Sequence, residues 1–253
     1  MMETFPGFTE DSFEFFHELA ANNNTAWFKA NRHRYDQHIV GVFRGLLQTL
    51  QPFLLRLNPH FETGGKTNRS FSRINRDIRF SKDKSPYKSN YYLYVFDCRR
   101  NRGDAGRLYV GLTADCVTVG FSIYGSAESS KRQREGHAAQ SALESIFRKR
   151  ILAHRKSFER LLQKTVRAGR YETYWHRVEK KDWAHHAGLP RHDEDWQTLQ
   201  AWIARKVFLP TARGIQTPAF ARQIERTFAD LYPLYAFTSV AGPGWQKEFR
   251  RRA

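Results

Sequence analysis

Cysteine is scarce. Cys98 and Cys116 are the two in 253 residues. A chain of this length can bury a sizeable core without covalent staples, so the usage fits a reducing cytoplasm. No run approaches the roughly 18 apolar residues that a membrane-spanning helix needs. The N-terminus reads Met1-Met2-Glu3-Thr4-Phe5-Pro6-Gly7-Phe8, with no basic n-region and no apolar h-region. No signal peptide and no membrane partner are therefore expected, and the expected location is cytoplasmic.

Catalytic signatures are missing as well. The loop at 61–67 has a Gly64-Gly65-Lys66-Thr67 run, but the Walker pattern asks for glycine five positions before Gly65, where His60 stands. There is no G-x-S-x-G elbow for a serine nucleophile. Clustered carboxylates of the kind that hold the metals of a nuclease are absent. The densest acidic run, Asp193-Glu194-Asp195 beside His192, is a thin ligand set, so neither metal nor cofactor is expected.

What is present is positive charge. Lys and Arg number 42 against 25 Asp and Glu, a formal net charge of +17. Such an excess suggests a polyanionic partner. It is concentrated at 66–110 and 131–181, with the rest of the chain close to neutral. Aromatics are plentiful, with 20 Phe, 11 Tyr and 6 Trp, which argues for a packed core and against disorder.

Along the chain, Thr9 with Glu10 and Asp11 reads as a helix start. Asn22-Asn23-Asn24 breaks that helix, and Trp27, Asn31, Tyr35, Ile39, Phe43, Leu46 and Leu50 trace one face of a long second one. Pro52 is expected to kink or end it. Strand-like runs at 91–97, 107–113 and 117–124 suggest an antiparallel meander. Helical patterning returns at 141–169, opened by a Ser141/Glu144 capping box and crowded with Arg and Lys. A last helix is expected from Thr217-Pro218. The expected fold class is α+β: one domain over 1–253, an antiparallel sheet meander packed with N-terminal and C-terminal helices.

The stretch at 70–88 is the most informative. Arg73, Arg76, Arg79, Lys82, Lys84 and Lys88 surround only Asp77 and Asp83, with Phe71, Ile74, Ile78, Phe80 and Tyr87 interleaved. Interleaving of this kind fits a half-buried segment that presents charge to a ligand. Both the strand and the helix reading place Arg73 and Asp77 together.

Two motifs make the chain recognisable. Gly7-Phe8, Phe16, Leu19, Asn22-Asn23 and Trp27-Phe28 form one. R-I-N-R-D-I-R-F-S-K-D-K-S-P-Y-K at 73–88 forms the other. Together they resemble a widespread family of conserved hypothetical proteins, a domain of unknown function. The likeness continues at 120–124 and 207–210, while the strongly basic 131–181 segment departs from it. The resemblance implies an α+β fold and carries no catalytic role to any residue.

Elimination then leaves cleavage of an N-glycosidic bond. A flipped base needs an aromatic pocket, cations on the flanking phosphates and one carboxylate near the sugar. Trp27, Phe80, Tyr87 and Tyr91 are the candidates for the pocket. Arg73, Arg76, Arg79, Lys82, Lys84 and Lys88, with Arg148, Lys156 and Lys164 of the basic helix, are the candidates for phosphate. Asp77 is the candidate catalytic carboxylate, and Asp83 stands behind it. The expectation is a nucleic-acid-binding protein, DNA ahead of RNA, with metal-independent DNA glycosylase-like chemistry as its enzymatic form. A non-catalytic nucleic-acid-binding module and an enzyme or sensor for a small phosphorylated metabolite stay open. So does an ion-pair network whose only role is to fix the fold.

Overall fold

A computed structural model describes residues 4–99, 106–124, 148–166, 169–179, 182–240 and 245–246. Among the described residues six strands form one antiparallel sheet: β1 (Asn90–Val95), β2 (Arg107–Thr113), β3 (Val117–Tyr124), β4 (Glu172–Glu179), β5 (Asp182–Ala187) and β6 (Ala201–Phe208). Their order in the sheet is β1-β2-β3-β6-β4-β5. The helices are α1 (Glu10–Ala21), α2 (Thr25–Ala30), α3 (Arg32–Tyr35), α4 (Val42–Leu57), α5 (Arg148–Thr165), α6 (Asp193–Thr198) and α7 (Phe220–Ser239). This is the expected α+β class, with helices toward both termini. Among the described residues no helix is long and apolar enough to cross a membrane.

The chain divides into two compact units. One takes Met1–Val95, Tyr109–Val119 and Val207–Arg226; the other takes Phe96–Leu108, Gly120–Lys206 and Thr227–Ala253.

In the first unit α1 buries Phe13, Phe15, Phe16 and Leu19. Thr9 sits at its N-cap position without a side-chain capping bond. Asn24 does cap α2, accepting from the Trp27 amide at 2.9 Å. The single long second helix expected from periodicity is broken. Asn31 Nδ2 donates to the Trp27 carbonyl at 3.0 Å, a side chain competing with the backbone ladder, and α2 ends there. A π-helical turn, Asp36–Gly41, then joins α3 to α4. The apolar stripe survives the breaks, with Ile39, Phe43, Leu46, Leu50 and Leu54 fully buried. Pro52 does not end the helix, which continues to Leu57. It lies on the exposed face with Gln48, the residue whose carbonyl loses its donor. Gly7 has φ +104°, and a Cβ there would fall 2.2 Å from the Gln216 carbonyl carbon. That close approach requires glycine, and it lets the Phe8 amide donate to the Ile215 carbonyl at 2.8 Å.

In the second unit Trp175 of β4 pairs with Trp202 of β6 on one side and with His186 of β5 on the other. Gly120 is fixed by crowding, since a Cβ would meet the Ala204 carbonyl oxygen at 2.4 Å. Phe158 of α5 stacks on Phe237 at 4.7 Å and meets Trp196 edge-on. The guanidinium of Arg150 donates to the carbonyls of Phe237 and Val240 near the C-terminal end of α7, acceptors that a helix end leaves unsatisfied. Helix α7 starts at Phe220, three residues after Thr217. The expected Ser141/Glu144 capping box lies outside the described residues.

Candidate functional site

The stretch at 73–88 is neither helix nor regular strand. It is a loop on a two-rail neck. The Lys88 amide donates to the Ile74 carbonyl at 2.8 Å, and the Arg76 amide to the Pro86 carbonyl at 2.9 Å. Between these bonds Asn75 and Tyr87 face each other as an antiparallel bridge. In such a narrow pair the N–H and C=O of each residue point away from the partner. Tyr87 therefore needs another acceptor and donor on its outer side. The Asn23 side-chain amide supplies both. Its Oδ1 accepts from the Tyr87 amide at 3.0 Å, and its Nδ2 donates to the Tyr87 carbonyl at 2.9 Å. One asparagine thus stands in for a missing strand. Phe28 stacks on the Tyr87 ring at 4.0 Å with planes 19° apart. The two sequence motifs, 64 residues apart at this contact, meet in one structure.

Beyond the neck the loop ties itself down. Asp77 is gripped by Arg79: Nε donates to Oδ1 at 2.9 Å and Nη2 to Oδ2 at 2.7 Å, with the Arg79 amide added at 3.3 Å. The expected Arg73–Asp77 pairing gives way to this fork, because the backbone here has neither helical nor strand periodicity. Arg73 acts on Asp77 only through its charge. Asp83 accepts from the Ser85 hydroxyl at 2.6 Å and the Ser85 amide at 2.9 Å, and pairs with Arg76. Lys84 Nζ reaches the Ile78 carbonyl at 3.1 Å. The hydrogen bonds from Arg79 hold the Asp77 carboxyl well below the usual carboxylate range. Those from Ser85, with Arg76 beside them, do the same for Asp83.

The tip is open to solvent. Lys82 and Lys84 are exposed there, as is Arg73 at the foot of the neck, and the side chains of Arg73 and Lys82 make no ion pair or hydrogen bond among the described residues. Lys88 is half-buried in the neck. Phe80 is 89% exposed, and the Arg79 guanidinium lies over its ring at 5.8 Å.

The four aromatics considered for a pocket are not brought together. Tyr91 falls on the inward face of β1 and is 2% exposed, packed against Phe43, Tyr35 and Phe71, so it is core and cannot stack a ligand. Tyr87 is buried under Phe28. Trp27 is half-buried and 5.7 Å from Phe15. Phe80 alone among them projects into solvent. Asn23 and Ser85, which organise the loop, were not singled out by sequence as site residues. The Asn22-Asn23-Asn24 run signals a helix break, and nothing local reveals a partner so distant in sequence.

The basic helix belongs to the other unit. Lys156, Arg160 and Lys164 of α5 are exposed, while Ile151, Phe158, Leu161 and Val166 are buried. Arg148 begins the helix, and its side chain lies outside the described residues. Arg155 is occupied by Glu159 and by Asp193, each at 2.8 Å. The Asp193-Glu194-Asp195 run starts α6. Asp195 caps the helix by accepting from the Arg191 and His192 amides, and it pairs with Arg177 at 3.1 Å. Among the described residues no group of three or more His, Cys, Asp or Glu is arranged to hold a metal ion.

Comparison with known proteins adds the following. A family described as conserved hypothetical protein (DUF2461) has a sequence profile that matches residues 11–237. No curated protein matches the chain.

Proposed function

Because this chain belongs to the conserved hypothetical protein family DUF2461, whose description carries no activity, its function has to be read from its own site, and we propose that it binds nucleic acid, DNA ahead of RNA, through the loop at 73–88. The observation that carries the reading is the charge left over on the loop and at the foot of its neck. Asp77 and Asp83 are each consumed by a guanidinium of the loop itself, whereas Arg73 and Lys82 are exposed and make no ion pair or hydrogen bond among the described residues. Surplus cations on a loop with a fixed neck suit phosphate contacts, which position a nucleic acid without reading its sequence. Lys156 and Lys164 of α5 add a second exposed basic surface.

The geometry favours binding over base excision. A glycosylase carboxylate faces the sugar inside a pocket, but Asp77 is exposed and has both oxygens engaged by Arg79. The test is a salt titration of DNA binding. Arg73→Gln with Lys82→Gln should make the slope of log K against log salt shallower by about 1.5, the effect of losing two phosphate contacts. An unchanged slope and affinity would remove the loop from the interface.

A further inference from the structure

Phe80 is an aromatic side chain that the fold does not use. It stands at the loop tip, 89% exposed, while Phe71, Ile74 and Tyr87 of the same stretch are buried. Its neighbours give it one defined face. The Arg79 guanidinium lies over the ring at 5.8 Å, and its plane is fixed by two hydrogen bonds to Asp77. Asp77 also neutralises that guanidinium, so Arg79 offers a flat surface more than a charge. Arg73 and Lys82 remain for phosphates. An exposed ring on a loop that also presents the exposed cations Arg73 and Lys82 matches a nucleotide, whose base has a π-face and whose backbone carries charge on either side. In an intact duplex both faces of every interior base are already stacked, so a ring of this kind finds no free partner there.

We propose that the loop tip selects unpaired bases: Phe80, backed by the Asp77-locked guanidinium of Arg79, stacks on one base of a single-stranded nucleic acid while Arg73 and Lys82 take the flanking phosphates. This rests on the nucleic-acid reading above and adds the substrate form. Asp77 is then a positioning residue, acting through Arg79. An anionic membrane is the competing partner for a phenyl ring among cations. It is disfavoured here because the Asp77–Arg79 pair adjoins the ring, so insertion deeper than the ring would carry ions into the lipid.

The test compares labelled single-stranded DNA, the matching duplex, and vesicles of phosphatidylcholine with phosphatidylserine, at fixed salt. Wild-type protein should prefer the single strand. Phe80→Ala should lower single-strand affinity by about 10-fold, leave duplex affinity and the salt slope unchanged, and keep the melting temperature. Phe80→Trp should restore the preference. Equal loss on both DNA forms, or loss on neither, overturns this inference while nucleic-acid binding stands. Absence of binding to either DNA by wild-type protein overturns both. Phe80-dependent binding to the vesicles with no single-strand preference assigns the ring to lipid and overturns the base-stacking role.

Discussion

At the scale of single residues, the loop separates side chains that hold the fold from side chains that face outward. Tyr91→Ala should destabilise the protein by about 3–5 kcal/mol, the cost of emptying a packed aromatic site, whereas Phe80→Ala should change stability by no more than about 0.5 kcal/mol. Urea unfolding of the two variants checks both numbers. Asn23→Ala removes the amide that completes Tyr87 and should cost about 1–3 kcal/mol, the range for leaving backbone groups unpaired. Asp77 and Asp83 both titrate below the ordinary carboxylate range. Their ties are fully present above the unfolded value near pH 4 and weaken only as pH falls toward the lower folded value. DNA binding through the loop should therefore show no carboxylate titration between about pH 5 and about pH 8, as read by anisotropy across that range. The cations and both carboxylates were legible in the sequence, because charge density is a local property. Which guanidinium holds which carboxylate was not, since that depends on a backbone with no repeating period.

At the scale of elements, strands β1 to β3 were legible from alternation and turn signals. In β1 the alternation is visible directly, with Tyr91, Leu93 and Val95 inward and Tyr92 and Tyr94 outward. Strands β4 and β5 were not, because Trp, Tyr and His are spread over both of their faces and no apolar period emerges. That hairpin carries a pH dependence of its own. Burial lowers the pKa of His176, and the charge of His185, its cross-strand partner, acts in the same direction. A base with a lowered folded pKa is protonated first in the unfolded chain. Its contribution is intact above the unfolded value near 6.5 and is lost as pH falls below it. Melting temperature should drop between about pH 7.5 and about pH 5.5, and His176→Gln should reduce that drop. On α5, changing Lys156 and Lys164 to Glu should weaken binding of all DNA sequences alike. Unaltered affinity would mark the helix face as merely solvated.

At the scale of the whole molecule, the net charge of +17 is unevenly distributed: the basic 131–181 segment falls in one compact unit, and the 66–110 segment is divided between the two. The expected α+β class followed from composition and pattern. The division of the sheet-forming chain between two units did not, because it depends on contacts between segments far apart in sequence. Wild-type protein incubated with DNA containing modified bases should bind it and release none, as mass analysis of the supernatant would show. Base release that Asp77→Asn slows by about 100-fold or more would instead give that carboxylate a catalytic role.

The self-tied loop has a consequence for proteolysis. Trypsin cleaves after Arg and Lys, and the tip offers Arg79, Lys82 and Lys84 in plain view. A protease, however, threads its substrate as an extended strand. This loop cannot extend without parting Asp83 from Ser85 and Arg76, and Lys84 from the Ile78 carbonyl. Cleavage then waits on local opening and tracks the population of the opened form. Limited digestion should leave the 79–84 tip uncut well beyond what its composition suggests. Asp83→Asn should make it an early nick site, and a bound oligonucleotide should restore the resistance of wild-type protein.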